Sequence, residues 1–157
     1  MGLLIFQRGI DMPVKVTFSG HNLRKIAKTP KSSSVAAGFF EDSKYPDGTS
    51  VVSVAVKNEY GEANIPARPF MQQTFENNQA KWLKFITQAL AKQSGNYDTN
   101  TIANQLGLLM QGDIRDTIVN GDFVPNAPYT IAKKGKDTPL RDTLLMLQSV
   151  DYQVVKK

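Results

Sequence analysis

One short stretch, Ile65-Pro66-Ala67-Arg68-Pro69-Phe70, constrains the fold of this chain more than any other feature. Each proline fixes its own φ at roughly −65° and disfavours the helical conformation in the residue before it, so Ile65 and Arg68 are expected to be extended. Pro69 suits the first turn of a helix, where its missing N–H costs nothing. The stretch therefore predicts a rigid entrance to a helix whose direction is set by the backbone.

A long helical pattern begins at this entrance. Apolar side chains recur at helical spacing from Arg68 to about Gln93, namely at Phe75, Trp82, Phe85, Ile86, Ala89 and Leu90. A second stripe predicts another helix from Thr99 to Val119, with Ile102, Leu106, Leu109, Met110, Ile114 and Ile118 on one face and Asn120-Gly121 at its end.

Strand patterns lie near both ends of the chain. Val14 to Gly20 alternates apolar and polar residues, a further strand is predicted around Val35 to Phe40, and Ser149 to Val155 alternates again. A short helix is predicted from Pro139 to Gln148. Strands around a helical middle predict an α+β fold, a small antiparallel sheet flanked by two long helices and a short C-terminal helix.

The segment Ser50 to Gly61 is ambiguous. Alternating Val52, Val54 and Val56, with their branched side chains, favour a strand. A capping residue before the segment, Thr49 or Ser50, and the glycine after it favour a helix. Beyond the second long helix, the sequence predicts an irregular proline-containing loop and a basic turn at Lys133-Lys134-Gly135-Lys136.

Length and composition bound the organisation. A chain of 157 residues with 41% hydrophobic and 21% charged residues is typical of one globular domain, predicted here over residues 13–157. Residues 1–12 precede a second plausible start at Met12-Pro13 and are expected to form a flexible arm. No apolar run approaches the roughly 18 residues of a membrane span, so we expect a soluble intracellular product.

The sequence offers little catalytic chemistry. It has no cysteine, so thiol nucleophiles are excluded, and its single histidine, His21, lies beside a predicted strand end, where a turn residue is the simpler interpretation. Glu41, Asp42 and Asp47 share one loop, but nothing in their spacing makes them converge on a cation or a substrate. We therefore expect no enzyme activity, no cofactor and no metal site.

The charge balance permits an acidic partner. The formal net charge is +5 at pH 7, and the lysines include Lys133, Lys134 and Lys136, with Tyr129 and Tyr152 able to stack on bases. The lysines are scattered and no nucleic-acid-binding signature is present. Solvated surface lysines are the simpler reading, and a small basic nucleic-acid-binding module is the alternative from another functional class.

Two separate motifs resemble one known family. The segment "VAVKNEYGEANIPARPFMQQTF" is similar to the signature of phage virion-morphogenesis proteins of the tail-completion, or neck, class: Glu-aromatic-Gly, a variable gap, then Ile-Pro-Ala-Arg-Pro-Phe opening a long helix. The segment "APYTIAKKGKDTPLRDTLLMLQSVDYQVV" is similar to the family's closing element. Together the motifs and the helices between them cover Val51 to Val155.

The resemblance implies a structural protein of the virion of a tailed phage, made in the host cytoplasm. It implies a homo-oligomeric ring, commonly a hexamer, that joins the head connector or stopper to the tail tube or its terminator, with DNA passing through the lumen. A tail terminator is the alternative within the class. The candidate assembly residues are those of the helix entrance and the basic turn: Tyr60, Gly61, Ile65, Pro66, Arg68, Pro69, Phe70, Lys133, Lys134 and Lys136.

The chain departs from the family pattern at one position. The family commonly has Asp-Thr-Gly before its last helix, whereas this chain has Asp142-Thr143-Leu144. Without the glycine we expect no tight turn at this point, so that the last helix runs through it. For Arg68 we expect either a carboxylate partner or solvation, and only a small loss of stability in Arg68→Ala.

Overall fold

A computed structural model describes residues 3–6, 14–18, 33–40, 43–93, 98–135, 137–141 and 144–156. Its strands are β1 (Leu3–Phe6), β2 (Val14–Phe18), β3 (Ser33–Gly38) and β4 (Asp151–Lys156). Its helices are α1 (Val51–Tyr60), α2 (Phe70–Ala91), α3 (Thr99–Asn120), α4 (Pro128–Lys134) and α5 (Leu145–Gln148). The predicted α+β class is confirmed, with the two long helices in the predicted places.

The strands form one antiparallel sheet in the order β1-β2-β3-β4. The first three follow one another along the chain, and β4 returns from the C-terminal part to pair with β3, where Val154 lies opposite Val35. In the segment expected to be an arm, Leu3–Phe6 pair with β2. The rest of residues 1–12 lies outside the described residues, as do His21, Glu41, Asp42 and Lys136.

The core lies between the long helices and the sheet. Helix α2 packs along α3, and α3 packs on β3 and β4. Gly107 permits the close approach of α3 to β4, because a Cβ at that position would overlap the ring of Tyr152. Trp82 is fully buried, and its indole N–H donates to Asp113 Oδ2 at 2.7 Å.

The ambiguous segment is a helix. Ser50 Oγ accepts the N–H of Ser53 at the beginning of α1, and Gly61, with φ 77°, follows its last residue. Burial of Val51, Val52 and Ala55 on one face outweighs the preference of valine for strands, because the helix gains tertiary contacts along that face.

The region before β4 differs from the sequence prediction in two places. Instead of an irregular loop and a basic turn, Pro128–Lys134 form α4, with Pro128 in the first turn and Gly135 (φ 70°) as a left-handed cap, so Lys133 and Lys134 end a helix. The helix expected from Pro139 begins only at Leu145, because Leu144 is left-handed at φ 59°. The prediction that this helix runs through Leu144 is therefore wrong.

Candidate functional site

The helix entrance is organised by a carboxylate that comes from another helix. Pro69, the residue before α2, gives no side-chain cap. Glu59 of α1 supplies one instead, because its Oε2 accepts the N–H of Met71 at 2.8 Å and its Oε1 accepts the N–H of Gln72 at 3.0 Å. Two of the first N–H groups of α2 are thus satisfied, and a negative charge meets the positive end of the helix dipole.

Glu59 is buried, with 2% of its surface exposed. Burial raises the pKa of Glu59 above its ordinary value, and the N–H groups of Met71 and Gln72 oppose this shift because they favour the carboxylate. Burial is the larger of the two effects, so the pKa of Glu59 lies above its ordinary value.

Arg68 is the second organising residue, and its bonds reach a loop more than fifty positions away. Its Nε donates to Val124 O at 2.8 Å, and its Nη2 donates to Pro125 O at 3.1 Å and to Asn126 Oδ1 at 3.3 Å. On the other side, Nη1 donates to Asn58 Oδ1 at 3.2 Å. One guanidinium therefore joins α1, the entrance to α2 and the loop between α3 and α4.

The surroundings of Arg68 differ from the carboxylate partner or solvation that the sequence predicted. Only 5% of its surface is exposed, and its direct partners are carbonyl and amide oxygens rather than a carboxylate. Burial lowers the pKa of Arg68, and the charge of Asp137 partly offsets this effect. Asp137 also accepts the N–H of Asn126 at 2.9 Å, so it holds the loop that Arg68 binds. A small effect of Arg68→Ala on stability is no longer expected.

The chain between α1 and α2 is fixed by its own backbone. The N–H of Glu62 donates to Ile65 O at 2.9 Å and that of Ile65 returns to Glu62 O at 2.7 Å, which closes a tight turn. The N–H of Arg68 donates to Asn58 O at 2.6 Å. A Cβ on Gly61 would lie 3.0 Å from the backbone nitrogen of Ala67, so this position favours glycine by space as well as by its φ.

The predicted assembly residues separate into buried and exposed members. Phe70 is fully buried and meets Phe39 edge-on, with ring centroids 5.9 Å apart. Ile65 and Pro69 are half-buried, whereas Pro66 is exposed and Tyr60 keeps 46% of its surface exposed. The structure therefore brings the stretch around Arg68 together as one unit.

The basic members of the predicted set lie in another part of the chain. Lys133 and Lys134 are the last two residues of α4, and Lys136 lies outside the described residues. Asn126 precedes α4 and Asp137 follows it, so the hydrogen bond between them connects the segments at the two ends of this helix. These flanking segments link α4 to the Arg68 network.

A cavity of about 290 Å³ adjoins this network. Arg68 and Asn126 line it together with the turn at Asp47 and three apolar residues near the C-terminal end, Leu140, Leu144 and Met146. Hydrogen bonding to the backbone and side chain of Thr49 lowers the pKa of Asp47. The cavity thus combines a cationic, donor-bearing wall with an aliphatic wall.

The described residues contain no group of three or more histidine, aspartate or glutamate side chains placed to hold a metal ion. Within the same ranges, none of the helices is long and apolar enough to cross a membrane. Asp47, one of the three loop carboxylates singled out in the sequence, accepts the N–H of Thr49 at 2.9 Å and so shapes its own turn.

Comparison with known proteins gives no assignment: no family model matches the chain, and no significantly similar curated protein or solved structure is found.

Sequence reasoning missed Glu59, Asn58 and the loop residues Val124 to Asn126 as members of this unit. One signal was available for Glu59. The predicted helix began after a proline and had no Ser, Thr, Asp or Asn to cap it, which indicates that an acceptor must come from elsewhere. No local pattern identifies the carbonyls that Arg68 binds, because backbone groups carry no sequence signal.

Proposed function

We propose that this chain is a structural protein of a tailed-phage virion that acts as a ring-forming tail-completion, or neck, component between head and tail. The two motifs that carry the resemblance are far apart in the sequence. The observation that supports the proposal most is that they meet in space: Arg68 of the first motif binds Asn126, which Asp137 of the second motif also binds.

Exposed apolar side chains support a docking role for this unit. Among the described residues, three of the seven large apolar side chains that remain exposed belong to segments joined by these contacts: Tyr60, Val124 and Tyr129. Tyr129 has 79% of its surface exposed. Apolar side chains exposed on rigidly held segments are suited to protein–protein contact, because little ordering entropy is lost on docking.

A ring of identical subunits requires a heterologous interface that closes by rotation. Such an interface needs two different surfaces held at a fixed angle within one subunit. The contacts of Glu59 and Arg68 fix the angle between α1, α2 and the loop before α4, so this part of the subunit meets that requirement. The adjoining partners we propose are the connector or stopper on one side and the tail tube or terminator on the other.

The experiment combines native mass and DNA binding. Light scattering over a wide range of protein concentration is expected to show assembly above the monomer, and Tyr129→Ser is expected to weaken it. Leu108→Ser is the matched control, because Leu108 is an exposed apolar residue on α3, outside the joined segments. Equal effects of both changes would remove the support for this docking surface.

The same preparation tests the nucleic-acid alternative. A basic DNA-binding module that contacts 6–10 phosphates loses roughly 10³–10⁵ in affinity between 50 and 200 mM salt. The assembly proposal expects little affinity of the free protein for duplex DNA at either salt concentration. Tight, steeply salt-dependent binding by a protein that stays monomeric would contradict it.

A further inference from the structure

We propose that the cavity beside Arg68 binds a polypeptide segment that presents an accepting carbonyl oxygen next to an aliphatic side chain. This inference does not depend on ring formation. The cavity, of about 290 Å³, lies at the lower limit of the roughly 300–1,000 Å³ typical of small-molecule pockets. Its size therefore suits one inserted residue better than an enclosed cofactor.

The donor-bearing wall of the cavity has N–H groups that form no hydrogen bond within the protein. Asn126 lines the cavity, and its Nδ2 is buried without a hydrogen-bond partner. The amide cannot be turned over to relieve this, because its Oδ1 accepts from Arg68 Nη2 and a flip would place two donors against each other. Nη1 of Arg68 also has a second N–H that its bond to Asn58 does not use. The buried Nδ2 of Asn126 therefore requires an acceptor oxygen, and Nη1 of Arg68 has a further N–H to offer.

The segment around Leu140, which lines the cavity, also contains buried polar atoms without hydrogen-bond partners. Thr138 Oγ1 and Arg141 Nε, on either side of Leu140, are also buried without partners. Of the four such side-chain atoms among the described residues, three thus lie in or next to the segments that line the cavity. A buried polar group without a partner is costly.

The apolar side is strained and incompletely covered. Within the described ranges, the non-glycine residues with positive φ are Leu140 at 62° and Leu144 at 59°, and both line the cavity. Leucine avoids this conformation, and such strain is concentrated at binding sites. Leu144 is also 47% exposed. An aliphatic group placed against Leu144 would bury apolar surface that the free protein leaves in water.

The charged side chains around the cavity favour a neutral acceptor group over an anionic one. The cation of Arg68 is accompanied by the carboxylate of Asp47 on the cavity wall and by that of Asp137 beside its own loop. A phosphate group would be repelled by Asp47, which lines the cavity, and Asp137 already offsets part of the charge of Arg68. A neutral peptide carbonyl meets the free donors without this repulsion, so we favour a peptide over a nucleic-acid backbone.

Three small probes of matched shape test the inference by NMR: 4-methylpentanamide, 4-methylpentanoate and 4-methylpentylamine. The amide and the acid present an accepting oxygen on the aliphatic group, whereas the amine presents only donors. We expect the amide, with a dissociation constant roughly in the millimolar range, to shift the side-chain NH₂ signal of Asn126 and the methyl signals of Leu144. The signal of Asn126 is identified by its loss in Asn126→Asp.

Asn126→Asp is also the decisive variant, because it keeps the oxygen that Arg68 binds and replaces the unpartnered donor with an acceptor. We expect it to weaken binding of the amide at least about tenfold. Asn77→Asp makes the same chemical change at an exposed position of α2 and should leave binding unchanged. Leu144→Ser, which shortens the aliphatic wall without touching the donors, should also weaken binding.

Tighter binding of the acid than of the amide would overturn the inference of a neutral peptide carbonyl, because the nearby carboxylates should disfavour an anionic ligand. Binding of the amine as strong as that of the amide would overturn the inference, since the donors would then play no part. The absence of any shift at Asn126 with all three probes would also overturn it. Ring formation with no probe binding would reject this site while leaving the proposed function intact.

Discussion

The carboxylate of Glu59 accepts the backbone N–H of Met71 at 2.8 Å, so the last turn of α1 caps the first turn of α2. The two residues are separated by the turn at Gly61 and by both prolines of the helix entrance. The prolines remove backbone freedom, and Glu59 supplies the cap that Pro69 cannot. The stretch around Arg68 and the last turn of the preceding helix α1 therefore form one connected unit.

The first prediction concerns this cap. Glu59→Gln keeps one acceptor oxygen but turns an NH₂ group toward a backbone N–H, leaving a buried donor unsatisfied. We expect a loss of about 1–3 kcal/mol in the free energy of unfolding at neutral pH, measured by urea titration. Glu62→Gln is the control, because the ion pair of Glu62 with Lys57 is on the surface and should cost less than about 1 kcal/mol. Equal losses would contradict the capping role.

The second prediction concerns pH. Because burial raises the pKa of Glu59 above its ordinary value of 4.5, the folded protein keeps this proton at pH values where the unfolded chain has released it. The stabilising contribution is therefore complete below that ordinary value and is lost as pH rises through the folded-state pKa. The stability advantage of the native protein over Glu59→Gln should shrink as pH rises from 4.5 toward neutrality. An advantage that grows with pH would mean that the two N–H bonds outweigh burial.

The third prediction concerns Arg68. Arg68→Ala leaves the acceptors at Val124, Pro125 and Asn58 without their donor. We expect a loss of about 3–5 kcal/mol in unfolding free energy. Arg68→Lys should recover only part of it, because an ammonium cannot reproduce the planar fork. Lys84→Ala on the exposed face of α2 is the control for loss of a positive charge. A near-neutral Arg68→Ala would contradict the burial of this residue.

The fourth prediction concerns Leu144, whose backbone is left-handed at φ 59°. Leu144→Gly removes the strain of a left-handed leucine, and we expect it to be neutral or to stabilise by up to about 1 kcal/mol, since glycine loses more entropy on folding. Leu108→Gly is the matched control: Leu108 is similarly exposed but lies within α3, where glycine should cost about 1 kcal/mol. Thermal melts of the two variants should move in different directions or differ clearly in size.

The fifth prediction uses two glycines of one helix. Gly107→Ala improves helix propensity but places a Cβ against the ring of Tyr152, so we expect a net loss of about 1–3 kcal/mol. Gly112→Ala adds a Cβ with no atom within 4 Å, so we expect a gain of about 0.5–1 kcal/mol. A stabilising Gly107→Ala would contradict the packing of α3 on β4.

The sequence predicted the structure best where apolar residues recur at helical spacing. The stripe at Ile102, Leu106, Met110, Ile114 and Ile118 predicted α3 to within one residue at its end, because these side chains are the ones buried in the core. It predicted the structure least well where an unusual backbone conformation determines where a helix begins. Leu144 adopts a left-handed turn that its side chain disfavours, so a prediction based on propensity continued the helix through it.

The candidate site was predicted only in part. The prolines located the rigid entrance, and Pro128 could have indicated the start of α4, since proline is favoured in a first turn. The partners of Arg68 could not be predicted, because they are mostly carbonyls of a loop brought close by the packing of α3 on α2. A buried arginine and an exposed one have the same sequence pattern when their partners are backbone groups.

The proposed function depends most directly on whether the protein forms closed rings. Negative-stain images of the purified chain at high concentration, classified without imposed symmetry, test this with the protein alone. The account predicts closed rings with one fixed subunit number and an open centre, and it predicts that Tyr129→Ser reduces their number more than Leu108→Ser does. A protein that remains monomeric at every concentration and coats added duplex DNA at low salt would contradict it.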